Sequence, residues 1–296
     1  MLLQEPTLRQ VTLDNVTLAY FERGRPVPGQ PTLYFVHATG FHARVWDYIA
    51  EAFPDAHIIA LEQRGHGRSD PLPVQNWSTF GEDQAAFVDA LQLTNLIGVG
   101  HSMGAHGLIQ GAAMSGRFAS LLLLDPTVAA PTDYSEQYRA MFGDQLHPAA
   151  KRRANFDSVE QMYSQLREKS SFPHFLPRIL QDYCQHGLIP DKQGGLTLAC
   201  RPTVEAHVYM SARSHAAIYD YVSELQIPVT IVRAKLPDPD FPHDFSSSPT
   251  WPGLAGQFVN ATDLHWPEST HFIPMQFPDR VIELLAQQIQ AWHDTH

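Results

Sequence analysis

A serine set between glycines is the residue of this chain best suited to do chemistry. Gly100-His101-Ser102-Met103-Gly104 has the form G-x-S-x-G. Leu96–Val99 before it reads as a short buried strand, and Met103–Ser115 after it reads as a helix. A turn that sharp between strand and helix forces the serine into a strained backbone, and leaves no room for side chains at the flanking glycines. It lifts the hydroxyl above the sheet edge. It also points the N–H of Met103, at the helix start, to where an oxyanion would form. The chemistry this suits is nucleophilic attack by Ser102; the plainer alternative is a structural serine in a glycine-rich turn. Gly98 and Gly100 also begin a GxG, but the third position of GxGxxG is Met103, so a dinucleotide site is not expected.

A serine hydroxyl is a poor nucleophile until a neutral imidazole takes its proton. Among 16 histidines, His271 is the best placed, after a late strand and before the terminal helix. From there a base reaches back over the sheet edge to Ser102. His101 adjoins the nucleophile but is aimed elsewhere by the turn. His37 reads as a loop brace, His66 lies in a glycine-rich loop, and His265 comes too early. None has HExxH or another metal-ligand spacing, so neither a metal nor another cofactor is expected. The order Ser…Asp/Glu…His leaves several acids open. Asp125 closes the apolar run Leu121–Leu124, where it would be partly buried beside the turn and could hold the imidazole in one tautomer. Strand termination is its plainer reading.

The elements that must position these groups alternate. Thr7–Leu13 and Val16–Phe21 flank Asp14-Asn15 as a hairpin. Strand patterns at Leu33–Val36, His57–Leu61, Leu96–Val99 and Leu121–Leu124 alternate with helical ones, which predicts a mostly parallel sheet covered on both faces. From about 131 to 226 the chain reads as mainly helical, with a capping-box pattern at Ser158–Gln161. The α/β rhythm then returns with Val229–Val232, Ala261–Leu264 and a terminal helix, Arg280–Trp292. The expectation is a core of 1–130 and 227–296 with a helical insertion at 131–226. Lys235–Pro252 carries five prolines and three consecutive serines, and reads as an irregular loop that walls the pocket or merely decorates the surface.

Composition narrows the partners. Lysine plus arginine is 20 against 31 aspartate plus glutamate, a net charge of −11. Such a surface repels phosphate backbones and anionic membranes, so neither nucleic acid nor membrane is expected as a partner. Cys184 and Cys200 form no CxxC, and the N-terminus lacks the n- and h-regions of a secretory signal. A soluble, cytoplasmic protein acting on a small molecule is the expectation, with a homodimer left open.

The chain resembles the α/β-hydrolase superfamily, in particular its capped, esterase-like members. The likeness spans nearly everything outside the insertion. It includes His37-Ala38-Thr39-Gly40-Phe41, similar to the family's HGxG loop, Gln63–Ser69, similar to its RGxGxS loop, the serine turn and His271. Ala38 departs from the usual glycine. The resemblance implies an α/β-hydrolase fold and an oxyanion hole formed by the N–H groups of Thr39 and Met103. It also brings a second acid candidate, Asp238, because the commonest family position follows the strand Val229–Val232; Asp240 and Asp244 lie nearby. Relatives that cleave epoxides or carbon–halogen bonds have aspartate where this chain has Ser102, so acyl transfer is implied: hydrolysis of carboxylic esters, lactones included. Carbon–carbon hydrolysis of ring-cleavage products, or ligand reception on a hydrolase scaffold, are the alternatives. Aromatic residues of the insertion, Phe142, Phe172, Phe175 and Tyr209 among them, favour an apolar or aromatic substrate. Phe41, His42 and His101 are counted with Phe142 and Tyr209 as substrate contacts.

Overall fold

The computed structural model describes residues 5–135, 138, 143, 145–192, 194–240 and 244–295. The main strands are β1 (Thr7–Thr12), β2 (Thr17–Arg23), β3 (Thr32–Val36), β4 (His57–Glu62), β5 (Leu96–His101) and β6 (Phe118–Leu124). Three short strands follow, β7 (Asn155–Phe156), β8 (Leu188–Pro190) and β9 (Leu196–Leu198), then β10 (Val229–Arg233) and β11 (Ala261–His265). The helices are α1 (Asp47–Ala50), α2 (Ser78–Ala90), α3 (Met103–Ser115), α4 (Val159–Leu166), α5 (Pro177–Gly187), α6 (Pro202–Met210), α7 (Ile218–Glu224), α8 (Ile273–Gln276) and α9 (Pro278–His293).

Eight strands form one sheet in the order β1-β2-β4-β3-β5-β6-β10-β11. The β1–β2 and β2–β4 pairs are antiparallel and every other pair is parallel. This is the mostly parallel sheet that the alternating rhythm predicts. Strands β3, β4 and β5 are buried along their whole length, because helices cover both faces and leave no polar side to alternate with. One face packs Trp46, Ile49, Leu285 and Trp292 over Phe35 and Val99. The other packs Phe87, Leu108, Ile109 and Val222 over Tyr34 and Leu121. With β5 central, its C-terminal end is screened on both sides, and that is where the serine turn sits.

The segment read as mainly helical carries α4 to α7 and also a small antiparallel sheet, β7-β9-β8, which the sequence pattern did not reveal. Strands of two or three residues are too short to show a period. At α4 the Ser158 hydroxyl accepts from the Gln161 N–H at 3.1 Å, as the capping pattern predicts. The Gln161 side chain, however, accepts from the N–H of Asp157 rather than that of Ser158. Helix α5 is fastened to the core: Arg68 donates to the His186 carbonyl at 2.7 Å, and Arg178 to Glu51 at 2.6 Å. No helix among the described residues is long and apolar enough to cross a membrane.

Candidate active site

The turn after β5 is built by exclusion. A Cβ on Gly100 would lie 2.6 Å from Ala105 Cα, and one on Gly104 would lie 2.5 Å from the carbonyl oxygens of Val36 and His37. Only glycine lets α3 start this close to the end of β3. Ser102 pays with a left-handed backbone, φ 56° and ψ −118°. Its N–H donates to the Leu124 carbonyl at 3.0 Å, and its own carbonyl accepts from His106 at 3.1 Å and Thr127 at 3.2 Å.

His271 lies in the loop between β11 and α8. Its Nε2 is 2.9 Å from Ser102 Oγ, and its Nδ1 is 2.7 Å from Asp125 Oδ2. Asp125 is fully buried at the end of β6. Its other oxygen accepts from the Ala234 N–H at 3.1 Å, the Thr250 hydroxyl at 3.1 Å and the Ser248 hydroxyl. These donors replace the water that a buried carboxylate has lost. Two of them come from the proline-rich loop, which therefore reaches the acid and is more than surface decoration. Of the candidate acids, Asp125 is the one at His271. Asp238 is exposed, with Oδ1 accepting from the Asp240 N–H, and Asp244 is held by Lys235 and Ser246.

The loop after β3 supplies the facing wall. Gly40 has φ +78°, its N–H donates to His66 Nε2 at 3.0 Å, and burial holds the His66 pKa down to about 4, so that nitrogen remains an acceptor. His37 braces the same loop, accepting from the Gln63 N–H at 3.1 Å. Thr39 and Met103 are buried. Among the described residues, the N–H groups of both donate to no protein acceptor.

The expected substrate contacts fare differently. His101 is fully buried. The turn sends its ring beneath the site, where Nε2 donates to the His271 carbonyl at 2.8 Å. Burial and the neighbouring His271 push its pKa well down. His42 is also buried and donates to the Tyr183 carbonyl at 3.0 Å, tying core to α5. It lines a small cavity with Gly40, Phe41, Arg152, Tyr183 and Cys200. Phe41 sits in an aromatic cluster, 5.0 Å from Tyr183, 6.2 Å from Phe175 and 6.1 Å from Phe272. Tyr209 packs 4.7 Å from His147, with its phenol pKa raised by burial and by Glu205. Phe142 lies outside the described residues.

Sequence reasoning missed two groups. Thr127 Oγ1 is 3.0 Å from Ser102 Oγ. Arg152 donates to Glu205 at 2.6 Å and to the Tyr183 hydroxyl at 3.1 Å, and that hydroxyl donates to the Gly40 carbonyl at 3.4 Å. No spacing marks either group, since every partner is distant in sequence.

The alpha/beta hydrolase family model matches residues 33–284. The chain is 30% identical over 133 residues to a non-heme chloroperoxidase of Streptomyces lividans, covering 42% of this chain and 47% of that protein. It is 35% identical over 81 residues to Esterase YbfF of Escherichia coli (strain K12), covering 27% and 31%. The matched stretch thus spans less than half the length of these curated relatives. Among solved structures, E-2-(acetamidomethylene)succinate hydrolase superposes with a TM-score of 0.73 at 19% identity, covering 96% of this chain and 99% of that one. At that identity the likeness is one of fold.

Proposed function

Because the chain belongs to the alpha/beta hydrolase family, on a match over residues 33–284, we propose that it hydrolyses carboxylic esters, lactones included, through an acyl-enzyme on Ser102. The observation that carries this reading is the unbroken hydrogen-bonded chain from Ser102 Oγ through His271 to Asp125. Asp125 accepts the Nδ1 proton, which leaves Nε2 as the base. Ser102 gives its proton to Nε2 as Oγ bonds the substrate carbonyl carbon. The carbonyl electrons move onto oxygen, where the N–H groups of Thr39 and Met103 receive them. Collapse breaks the bond to the alkoxide, which takes the proton from His271. Water then repeats the sequence and releases the acid. The reaction as written needs no cofactor.

Residues 131–226 act in this reading as a cap over the site. They bring Phe175 and Tyr183 against Phe41, with Phe172 packed behind on Tyr183, an aromatic wall that supports an apolar or aromatic substrate. The test combines a fluorophosphonate probe with p-nitrophenyl acetate. Wild-type protein should be labelled at Ser102 and turn over the ester, and Ser102→Ala should do neither. A folded wild type that does neither overturns the reading and favours ligand reception. Turnover of a vinylogous diketone without any ester turnover would move the substrate to the carbon–carbon class.

A further inference from the structure

Ser102 Oγ has a second partner beside His271, and the proton count fixes its role. Ionised Asp125 accepts from His271 Nδ1 at 2.7 Å, so the proton of the neutral ring sits on Nδ1 and Nε2 can only accept. The Ser102 proton must therefore point to Nε2, 2.9 Å away. The serine oxygen then has only lone pairs left for Thr127 Oγ1, 3.0 Å away, and the Thr127 hydroxyl must be the donor. Among the described residues, that hydroxyl has no other protein partner.

The placement is fixed from three sides. The Thr127 N–H donates to the Ser102 carbonyl at 3.2 Å. The Thr127 carbonyl accepts from Nδ1 of His106, one turn into α3, at 2.9 Å. His106 is fully buried, and burial lowers its pKa to about 3, so it stays neutral and its tautomer is set by that carbonyl. Pro126 stiffens the approach from Asp125, and the β-branched side chain of Thr127 has few rotamers to choose from. One segment, Asp125-Pro126-Thr127, thus serves both ends of the chain: its aspartate holds the base and its threonine touches the nucleophile.

We propose that Thr127 is a catalytic residue of the reaction proposed above, on which this inference rests, and that it acts by hydrogen-bonding the serine oxygen whenever that oxygen carries charge. In acylation the Ser102 O–H bond breaks toward His271 as the Oγ–carbon bond forms, and the donated hydrogen bond strengthens while charge builds on Oγ. In deacylation a water proton goes to His271 as the water oxygen bonds the acyl carbon. The Oγ–carbon bond then breaks, and Oγ recovers its proton from His271. Thr127 keeps its own proton throughout and supports Oγ as the departing oxygen.

The experiment compares wild type, Thr127→Val, Thr127→Ala and Thr127→Ser by fluorophosphonate labelling rate, by burst and steady-state kinetics with p-nitrophenyl acetate, and by melting temperature. Valine keeps the shape and both backbone hydrogen bonds. Thr127→Val should label and turn over about tenfold more slowly at unchanged KM and melting temperature, about 1.4 kcal/mol of barrier. Thr127→Ala should match it, which guards against misfolding of either variant, and Thr127→Ser should recover most of the rate. Thr127→Val within twofold of a reactive wild type overturns the inference alone, as does a Thr127→Ser as slow as Thr127→Val. An unreactive wild type takes the parent reading down and this one with it.

Discussion

At Asp125 two carboxylate positions that the chain order could not separate are separated by distance. Asp125 lies 2.7 Å from His271 Nδ1, while Asp238 is exposed and bonded within its own loop. Asp125→Asn should therefore lower kcat by several orders of magnitude, because an amide neither fixes the productive tautomer nor stabilises the imidazolium. Asp238→Asn should stay near wild type. Steady-state rates on both variants, with circular dichroism to confirm folding, check this; equal and modest losses would remove Asp125 from the reaction. The sharp turn at Ser102 and the pairing of His271 with it were legible because each is marked by local order along the chain. The choice of acid was not, since it depends on which loop folds back over the sheet, and Ser248 and Thr250 show that loop spent on Asp125. The bond from His101 to the His271 carbonyl was not legible either, because a residue next to Ser102 in sequence turns its ring into the interior.

Three separate parts of the chain meet at one peptide of the loop after β3. Arg152 follows a short turn, Tyr183 is on α5 and Glu205 on α6, and their hydrogen bonds run from the Glu205 carboxylate to the Gly40 carbonyl. A Cβ on Gly40 would lie 2.8 Å from Glu205 Oε1, in a backbone with φ +78° that L side chains rarely adopt. Gly40→Ala must shift either the cap pair or the loop that carries Thr39. We expect at least a tenfold loss of kcat with p-nitrophenyl acetate, a substrate too small to need the cap; unchanged kcat would separate cap from loop. The pair itself has an energetic signature. Arg152→Met leaves Glu205, 5% exposed, as a buried charge without its partner. This should cost on the order of 3 kcal/mol. Arg152→Met with Glu205→Leu should cost less than the single change, and a thermal-melt double-mutant cycle decides. The core strands were legible as apolar runs. This contact was not, because a lone arginine among loops and a glutamate on a helix carry no periodicity.

Five buried histidines are held neutral across the whole molecule, and that sets its response to acid. His37, His42, His66, His101 and His106 are all buried, and burial is the largest cause of each lowered pKa: to about 3 for His37 and His106, to about 4 for His66, and well below the ordinary value for the other two. In the unfolded chain each takes a proton near ~6.5, whereas the folded chain refuses it. A group whose folded pKa is depressed contributes stability that is whole above the unfolded value. That stability is lost as pH falls toward the folded one. Each histidine then costs ~1.4 kcal/mol per pH unit, so the five together cost up to ~7 kcal/mol per unit near pH 5. Asp182, raised by burial to about 6, works the other way between about 6 and ~4, because the folded chain holds a proton the unfolded one has released. Burial raises Asp47, Glu62, Asp83 and Glu205 as well, but it also lowers His57, His147, His186 and His215, so among the described residues nine histidines stand against five acids and the sign is unchanged. The melting temperature should therefore fall steadily from pH 7.5 to 5.5 and steeply below, with several protons taken up per unfolding event. A flat melting temperature across that range would mean that these rings gain protons in the fold. The His66 bond to the Gly40 N–H, which needs an unprotonated Nε2, would then fail while the chain was still folded, and activity would drop before structure did.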